Sequence, residues 1–396
     1  MKVQFAVDCI SLAKGIELAN QIRDYIEIIE LGEEFIAKYG HMAIREFKQE
    51  FPEKKILADI KIMDSGYKVG LPCLEAGAEC TVDCVGNLIC VKDGGDASAP
   101  HILLAAHMDE AGFIITGARD DGLLRFTSVG KIDPRDAVSK IVSCGEKKTP
   151  GVIGAKAIHL QSAADRERVL SFSEMYIDIG AKDKAGAEAL CPMGTYCVFE
   201  SPVAAFGEDS LAGRALDNRA SCMNLVQALR HGYRGRLTCA FTVQEEIGCR
   251  GALVLSRRLD NDLAIVLETA RANDLGDVKP EERGCALGGG AVVAQMSRTS
   301  ISHGALRAAI EQTAEKAGIP WQKLCGVQPA SDMGRLQFGA LAKPAASIAI
   351  PCRGSHSGNC ILRRSDIAAQ SALVNALLDT LPEIYNDLTK SEVLPV

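Results

Sequence analysis

Short apolar runs alternate with amphipathic stretches through the first 80 residues, on a period of about 27 residues. VQFAVD (3–8), IEIIE (26–30) and KILADI (55–60) read as strands. Residues 12–25 carry Leu12, Ile16, Leu18, Ala19 and Ile22 at helical spacing, and 33–50 are charged and amphipathic. Residues 66–77 form a weaker helix, interrupted by Gly70 and Pro72. This β-α-β-α-β-α order predicts right-handed parallel units and an α/β class.

After residue 79 the rhythm changes. ECTVD and NLICVKD flank Val85-Gly86, which predicts two strands and a tight turn. HILLAAHMDEAGFIIT reads as a strand, a polar break and a second strand. Residues 119–212 are rich in Gly, Lys and Asp, with short runs such as GVIGAKAI and EMYIDIG. That stretch predicts a small β-rich module. From 213 the α/β rhythm returns, with helices over 218–231, 249–257, 304–317 and 366–381. Strands are predicted over 237–243, 263–268 and 345–350.

Composition removes several function classes. The chain has 396 residues, which predicts two or three domains at about 150 residues each. Hydrophobic residues at 47% and charged residues at 24% exclude wholesale disorder. A net charge of −7 and 5% aromatics argue against nucleic-acid binding, which needs a basic face or stacking platforms. No apolar run approaches the roughly 20 residues that span a bilayer. MKVQFAVDCI meets Asp8 too early for a signal peptide. Fifteen scattered Cys with no CxxC pair read as reduced thiols in a cytoplasm. Cys80 and Cys84 lack the second pair that a zinc knuckle needs.

Five polar clusters sit at the ends of apolar strands: His107-Met108-Asp109-Glu110, Asp217-Asn218-Arg219, Glu245-Glu246, Glu268 and His356. Taken singly, H-x-D is a surface polar pair, Glu-Glu is a solvated face, and Asp217 caps helix 218–231. Taken together they are a metal set. Open α/β sheets place ligands at the carboxyl ends of their strands. Histidine with carboxylates suits hard to borderline divalent ions. In H-x-D both side chains share one face of the strand, so Asp109 can orient His107. Of two adjacent Glu, one can bind metal while the other accepts a proton. A carboxylate such as Asp217 can bridge two ions about 3.5–4 Å apart.

AHMDEAGFI, GRALDNRASC, TVQEEIGCRGA and PCRGSHSG resemble, in order and spacing, the motifs of the glutamyl and deblocking aminopeptidase family. These are cocatalytic metallopeptidases that build tetrahedral dodecamers. The resemblance runs from about residue 79 to 385. GVIGAKAIHL and EMYIDIGAKD resemble that family's inserted β-rich dimerisation domain. The resemblance implies a phosphorylase/hydrolase-like fold and two divalent ions per subunit, Zn²⁺, Co²⁺ or Mn²⁺. It implies His107, Asp217 and Glu268 on one ion, and Asp217, Glu246 and His356 on the other. Glu245 would be the general base, with Asp109 behind His107. Peptides would be the substrates and a dimer building to a dodecamer the assembly. Two positions depart from the family. Glu268 stands where Asp is usual, and Cys360 in HSGNC stands where HSPxE has Glu. Asp332 falls where the family has an Asp near the substrate's amino end, in the poorly matched setting PASDMG. Gly288-Gly289-Gly290 lacks phosphate-loop spacing and reads as close backbone packing. Trp321, His41, His101, His159, His231 and His303 read as structural or surface residues.

The N-terminus resembles something else. AVD (6–8), IIELG (28–32) and ADIKIMDSG (58–66) are similar to the start of hexulose-6-phosphate synthase, a (β/α)8 barrel of the orotidine-phosphate decarboxylase suprafamily. ADIKIMDSG contains DxKxxD as Asp59, Lys61 and Asp64. In that suprafamily these positions, with Asp8 and Glu30, bind sugar phosphate and Mg²⁺. A closed barrel needs about 200 residues, and its phosphate site uses the last strands. AGAEC (76–80) ends the match before those strands arrive. Here DxKxxD reads as a surface ion pair.

The expected organisation is a partial barrel fragment at 1–78, a metallopeptidase domain at 79–118 and 213–396, and an inserted β-rich dimerisation domain at 119–212. The expected activity is metal-dependent removal of N-terminal residues from peptides. The competing readings are an Mg²⁺-dependent aldolase/lyase at the N-terminal cluster, an inactive fusion scaffold, and another dinuclear hydrolase such as a glucanase-like relative. No residue singles out a preferred N-terminal side chain.

Overall fold

The computed structural model describes residues 4–7, 11–32, 35, 39, 41–58, 66–279, 282–324, 328–339 and 342–390. They divide into two units, Met1–Val91 and Lys92–Val396.

The first unit opens with parallel strands β1 (Gln4–Val7), β2 (Ile28–Leu31) and β3 (Lys55–Ala58), in that order in one sheet. Helices α1 (Leu12–Gln21) and α2 (His41–Glu50) connect them, as the period predicts. Ser11 caps α1 by accepting the Lys14 N–H at 3.2 Å. Gly15 lets α1 lie close to β1, since a Cβ there would fall 2.9 Å from Val7 Cγ1. Val7, Ile29, Leu31, Phe35, Phe47 and Phe51 fill the core beneath. The helix expected over 33–50 is described as α2, and residues 33, 34, 36–38 and 40 lie outside the described residues. Helix α3 (Gly66–Glu75) leads into the antiparallel hairpin β4 (Glu79–Val82) and β5 (Leu88–Asp93). Asp83 holds the turn, its Oδ1 accepting the Val85, Gly86 and Asn87 N–H groups at 3.0–3.1 Å. The unit runs past residue 78 because the hairpin stays with α3, Ala78 N donating to Cys73 O at 3.1 Å.

The second unit starts with β6 (Ile102–His107) and then enters a closed barrel. The barrel strands are β7 (Gly112–Ala118), β8 (Leu124–Val129), β9 (Ile141–Cys144), β10 (Thr149–Ala155), β11 (Met175–Asp178) and β12 (Tyr196–Phe199). Phe113 packs edge-on against Phe126 and Phe199 at its centre. Strands β13 (Ala204–Phe206) and β14 (Ser210–Gly213) lie outside it. The strand pairings therefore set the module's edges elsewhere than 119 and 212. β7 pairs with β8 and β12, so it belongs to the barrel. β14 pairs with β20 (Cys360–Arg363), so it belongs with the larger sheet's connections.

Around the barrel the chain builds an α/β layer. Helix α4 (Lys184–Leu190) precedes β12. Helix α5 (Leu216–His231), β15 (Arg236–Thr242), α6 (Arg250–Ser256) and β16 (Leu263–Arg271) follow the barrel. Then come β17 (Ala291–Ala294), α7 (Gly304–Ala317), β18 (Trp321–Leu324), α8 (Met333–Leu336), β19 (Ala345–Cys352) and α9 (Arg364–Lys390). The strands of this unit lie in the order β18-β17-β19-β16-β6-β15. β15, β6, β16 and β19 are mutually parallel, and β17 runs antiparallel to β19. Every residue of β6 and β19 is buried, which is why ILLAAH and AASIAIPC are continuously apolar rather than alternating. Helices α5 and α9 pack on each other and on this sheet.

The Gly288–Gly290 run packs as its composition predicts. Gly288 and Gly290 N–H donate to Asp366 in α9 at 2.7 and 2.8 Å. At Gly290, φ +87°, a Cβ would fall 2.1 Å from Pro320 O. Among the described residues no helix is long and apolar enough to cross a membrane.

Candidate metal centre

The parallel strands bring five polar clusters to one edge of the sheet. His107 ends β6, and Thr242 ends β15 directly beside it. Val266 of β16 pairs with Ala105 of β6, so two residues further along Glu268 comes level with His107. His107 Nε2 lies 3.3 Å from Glu268 Oε1 and 3.5 Å from Asp217 Oδ1. His356, on the turn after β19, points back at the same place. Its Nε2 is 3.3 Å from Glu246 Oε2 and 3.7 Å from Asp217 Oδ2. Each Asp217 oxygen thus faces a different histidine. Asp217 can do this because it sits in a non-helical kink in the first turn of α5. Asn218 anchors that kink by donating to Leu267 O at 2.9 Å.

Both histidines have their other ring nitrogen fixed by an acceptor. His356 Nδ1 is 2.7 Å from Lys131 O, and His107 Nδ1 is 3.1 Å from Asp109 O. A carbonyl only accepts, so both Nδ1 atoms carry hydrogen and each Nε2 is the ring nitrogen left to bind an ion once it is deprotonated. Asp109's carboxylate adds a contact to His107 Nδ1 at 3.6 Å. It also accepts the Glu245 and Glu246 N–H groups at 3.1 and 3.2 Å. One side chain thereby ties His107 to the Glu-Glu turn.

The electrostatics of the bare protein are those of a cluster short of positive charge. Burial pushes the Glu245 carboxyl up to about 9, helped by Glu268 and Asp332 and opposed by His107. Burial and Asp217 push Glu246 up to about 8. Burial would lower His107, but Glu268, Asp109 and Asp217 together hold it well above the usual imidazole range. Burial would raise Asp217, but His107 and His356 hold it below the ordinary carboxylate range. Two donor groups could each hold a metal ion: His107, Asp217 and Glu268, and Asp217, Glu246 and His356. Within each group the donor atoms lie within 4.8 Å of one another. Imidazole nitrogens and carboxylate oxygens around buried excess negative charge fit divalent ions. An open cleft leads to them, lined by Ala270, Arg271, Met296, Leu324 and Gln328.

All seven site residues expected from the motifs converge here. Asp332 is buried beside the cleft. It is 1% exposed and takes the Thr242 hydroxyl, while Ser331 and Met333 line the cleft. Its buried position follows from the turn into α8, which points Asp332 under the end of β15. Of the N-terminal cluster, Asp8, Asp59, Lys61 and Asp64 lie outside the described residues. Glu30 is half-buried on β2. The motif reading assigns no role to Lys131 O, Thr242 or Cys249, which neighbour the centre. Cys249 donates to Glu245 Oε1 at 3.3 Å.

Parallel central strands with histidines and carboxylates gathered at their carboxyl ends are the arrangement of a metallohydrolase. The profile of the M42 glutamyl aminopeptidase family matches residues 86–373, and the chain belongs to that family. It is a metallo-aminopeptidase, a hydrolase acting on peptides. A protein of Acetivibrio thermocellus, provisionally named an aminopeptidase, is 34% identical over 302 residues, 76% of this chain and 88% of that one. An aminopeptidase from Desulfurococcus kamchatkensis superposes with a TM-score of 0.78 at 25% identity, covering 83% of this chain and 92% of that one. The Pyrococcus horikoshii TET1 peptidase, which assembles into a tetrahedron or a large octahedral shell, superposes with a TM-score of 0.68 at 31% identity. That match covers 78% of this chain and 92% of that one. The N-terminus matches a different protein. The 3-hexulose-6-phosphate synthase of Bacillus subtilis is 38% identical over 79 residues, 20% of this chain and 38% of that protein.

Proposed function

We propose that the aminopeptidase works with two divalent ions sharing Asp217. His107 and Glu268 complete one set of ligands, and Glu246 and His356 complete the other. The observation that carries this reading is the pair of Asp217 oxygens, 3.5 Å from His107 Nε2 and 3.7 Å from His356 Nε2. Bound Zn²⁺, Co²⁺ or Mn²⁺ would supply Lewis-acid polarisation of the scissile carbonyl and acidify the attacking water. Glu245 is the general base. Its carboxylate takes a proton from that water and returns it to the departing amine. Asp109 is a positioning residue that fixes the His107 ring and the Glu245-Glu246 backbone together. The substrate is a peptide whose first residue enters the cleft beside Ala270, Met296 and Leu324.

The domain organisation follows. Residues 79–118 and 213–396 are read as the catalytic domain, with strand pairing moving β7 into the inserted module and β14 out of it. That module exposes Ile158, Leu160 and Met193, at 70%, 62% and 72%, and suits a dimer contact that builds towards a dodecamer. Residues 1–78 are read as a barrel fragment fused to the peptidase. They span too little of a (β/α)8 barrel to close a pocket, which requires about 200 residues. Among the described cysteines only Cys84 is exposed, which suits a reducing cytoplasm.

The test is hydrolysis of an aminoacyl-p-nitroanilide panel by full-length protein. It is run metal-stripped, then with Zn²⁺, Co²⁺ or Mn²⁺, beside Glu245→Ala. Metal-restored activity that disappears in the variant supports the reading. A folded wild-type protein inactive with every metal would sink it.

A further inference from the structure

Glu245 belongs to a third donor group. Gly248 and Cys249 N–H both donate to Glu245 O at 2.9 Å, closing a tight turn before α6. That turn folds the thiol back over the side chain, and Cys249 Sγ lies 3.3 Å from Glu245 Oε1. One donor atom each from Glu245, Cys249 and Asp332 lie within 4.8 Å of one another. Asp332 and Cys249 are 1% and 4% exposed. Asp332 Oδ2 takes the Thr242 hydroxyl, but its Oδ1 is buried with no hydrogen-bond partner among the described residues. A buried carboxylate oxygen without a donor is costly, and a cation would satisfy it. Glu245 also lines the cleft, which gives an ion a route in.

We propose that Glu245, Cys249 and Asp332 form a third cation site, selective for a thiophilic divalent ion such as Zn²⁺, and that filling it inhibits the enzyme. The binding half stands on the geometry of these three side chains. The inhibitory half rests on Glu245 being the base.

The chemistry follows from the donors. Zn²⁺ and Co²⁺ accept one sulfur and two oxygens with water in a fourth position. Mg²⁺ and Ca²⁺ take oxygen donors and gain little from a thiol. On binding, Cys249 loses its proton to solvent and the thiolate donates an electron pair to the ion. Nothing is oxidised or reduced. The Glu245 lone pair that would take the water's proton is then engaged by the ion. Activity therefore rises as the shared pair of sites fills and falls when the third fills. Mn²⁺, a harder ion, activates with less inhibition.

Cobalt(II) reads this site directly. Full-length, metal-stripped protein is titrated with Co²⁺ while absorbance and aminopeptidase activity are followed together. Wild type is expected to bind three ions per chain and to show a sulfur-to-cobalt charge-transfer band in the near ultraviolet. Cys249→Ser is expected to bind two and to lack the band. Asp332→Asn, which preserves shape, is expected to need more Co²⁺ for the same band, and it serves where Cys249→Ser does not fold. Within wild type, activity at saturating Co²⁺ should fall about a hundredfold from its maximum, the scale of losing a general base. The corresponding ratio in Cys249→Ser should stay near one. No band in wild type, or a band unchanged in Cys249→Ser, overturns the site. A band without loss of activity overturns the inhibitory role. A band in a protein inactive at every Co²⁺ level supports the site and instead removes the two-ion aminopeptidase mechanism.

Discussion

Asp109 acts on two partners through one carboxylate. It stands 3.6 Å from His107 Nδ1 and accepts the Glu245 and Glu246 N–H groups. Asp109→Ala should leave the backbone carbonyl on His107 Nδ1 but remove the carboxylate beside that ring and loosen the Glu-Glu turn at once. Metal affinity should fall about 10–100-fold, read by competition with a chromophoric chelator. Glu245→Ala should behave differently. It removes no proposed ligand of the shared pair, so the two ions of that pair should stay while kcat falls about 10²–10⁴-fold. Binding of fewer than two ions by that variant would contradict the division of roles between Glu245 and Glu246. A third expectation concerns protons. In the bare protein burial pushes Glu246 up to about 8 and Glu245 up to about 9, and the surrounding carboxylates raise His107 as well. At neutral pH these groups hold protons that an incoming cation must displace. Metal affinity should therefore strengthen as pH rises towards 9 and weaken as it falls. Calorimetric titrations in buffers of different ionisation enthalpy should show net proton release. Uptake without proton release would overturn this account. The H-x-D spacing made the Asp109–His107 relation legible in the sequence. Asp109's hold on Glu245 was not, because the partners are 136 residues apart and only the β6–β15 pairing joins them.

At the scale of elements, legibility tracked the period of the apolar pattern. β6, β16 and β19 are buried runs bounded by polar clusters, and the sequence shows them plainly. β17 and β18 are four residues each and follow glycines or a proline, so no periodicity marks them. The barrel's edges were obscured for another reason. β7 continues an apolar stretch begun in β6, and only strand pairing shows that the chain has changed sheets at residues 108–111. What holds β17 in place is testable. Asp366 accepts from Gly288 and Gly290, whose N–H groups would otherwise lie buried and unpaired just before that strand. Asp366→Ala should cost about 1–3 kcal/mol of stability. Urea denaturation would show this as a lower midpoint with unchanged slope. An unchanged midpoint would mean that water or a relaxed loop replaces the carboxylate.

For the whole molecule, the question is whether two sequence signals make one activity or two. The first unit's core is drawn from Val7 to Phe51 with Ile56 packed against it, so it is complete without any residue of the catalytic centre. Every proposed ligand, the base and Asp109 lie between His107 and His356, inside the second unit. The matching portion of hexulose-6-phosphate synthase is 38% of that protein, and a sugar-phosphate site needs the strands that close the barrel. A chain beginning at residue 79 keeps the β4–β5 hairpin intact and removes the whole β1–β3 sheet. It loses α3, whose Cys73 carbonyl accepts the Ala78 N–H, so some stability should be lost with it. Its metal content and its kcat/KM on aminoacyl-p-nitroanilides should nevertheless match those of the full-length protein. Full-length protein should give no condensation of formaldehyde with ribulose 5-phosphate in the presence of Mg²⁺. A folded truncation that binds metal but does not cleave would make the first unit part of the enzyme rather than an appendage. Condensation by the full-length protein would mean that a partial barrel can assemble a sugar-phosphate site, against the geometric argument that three parallel strands leave it open.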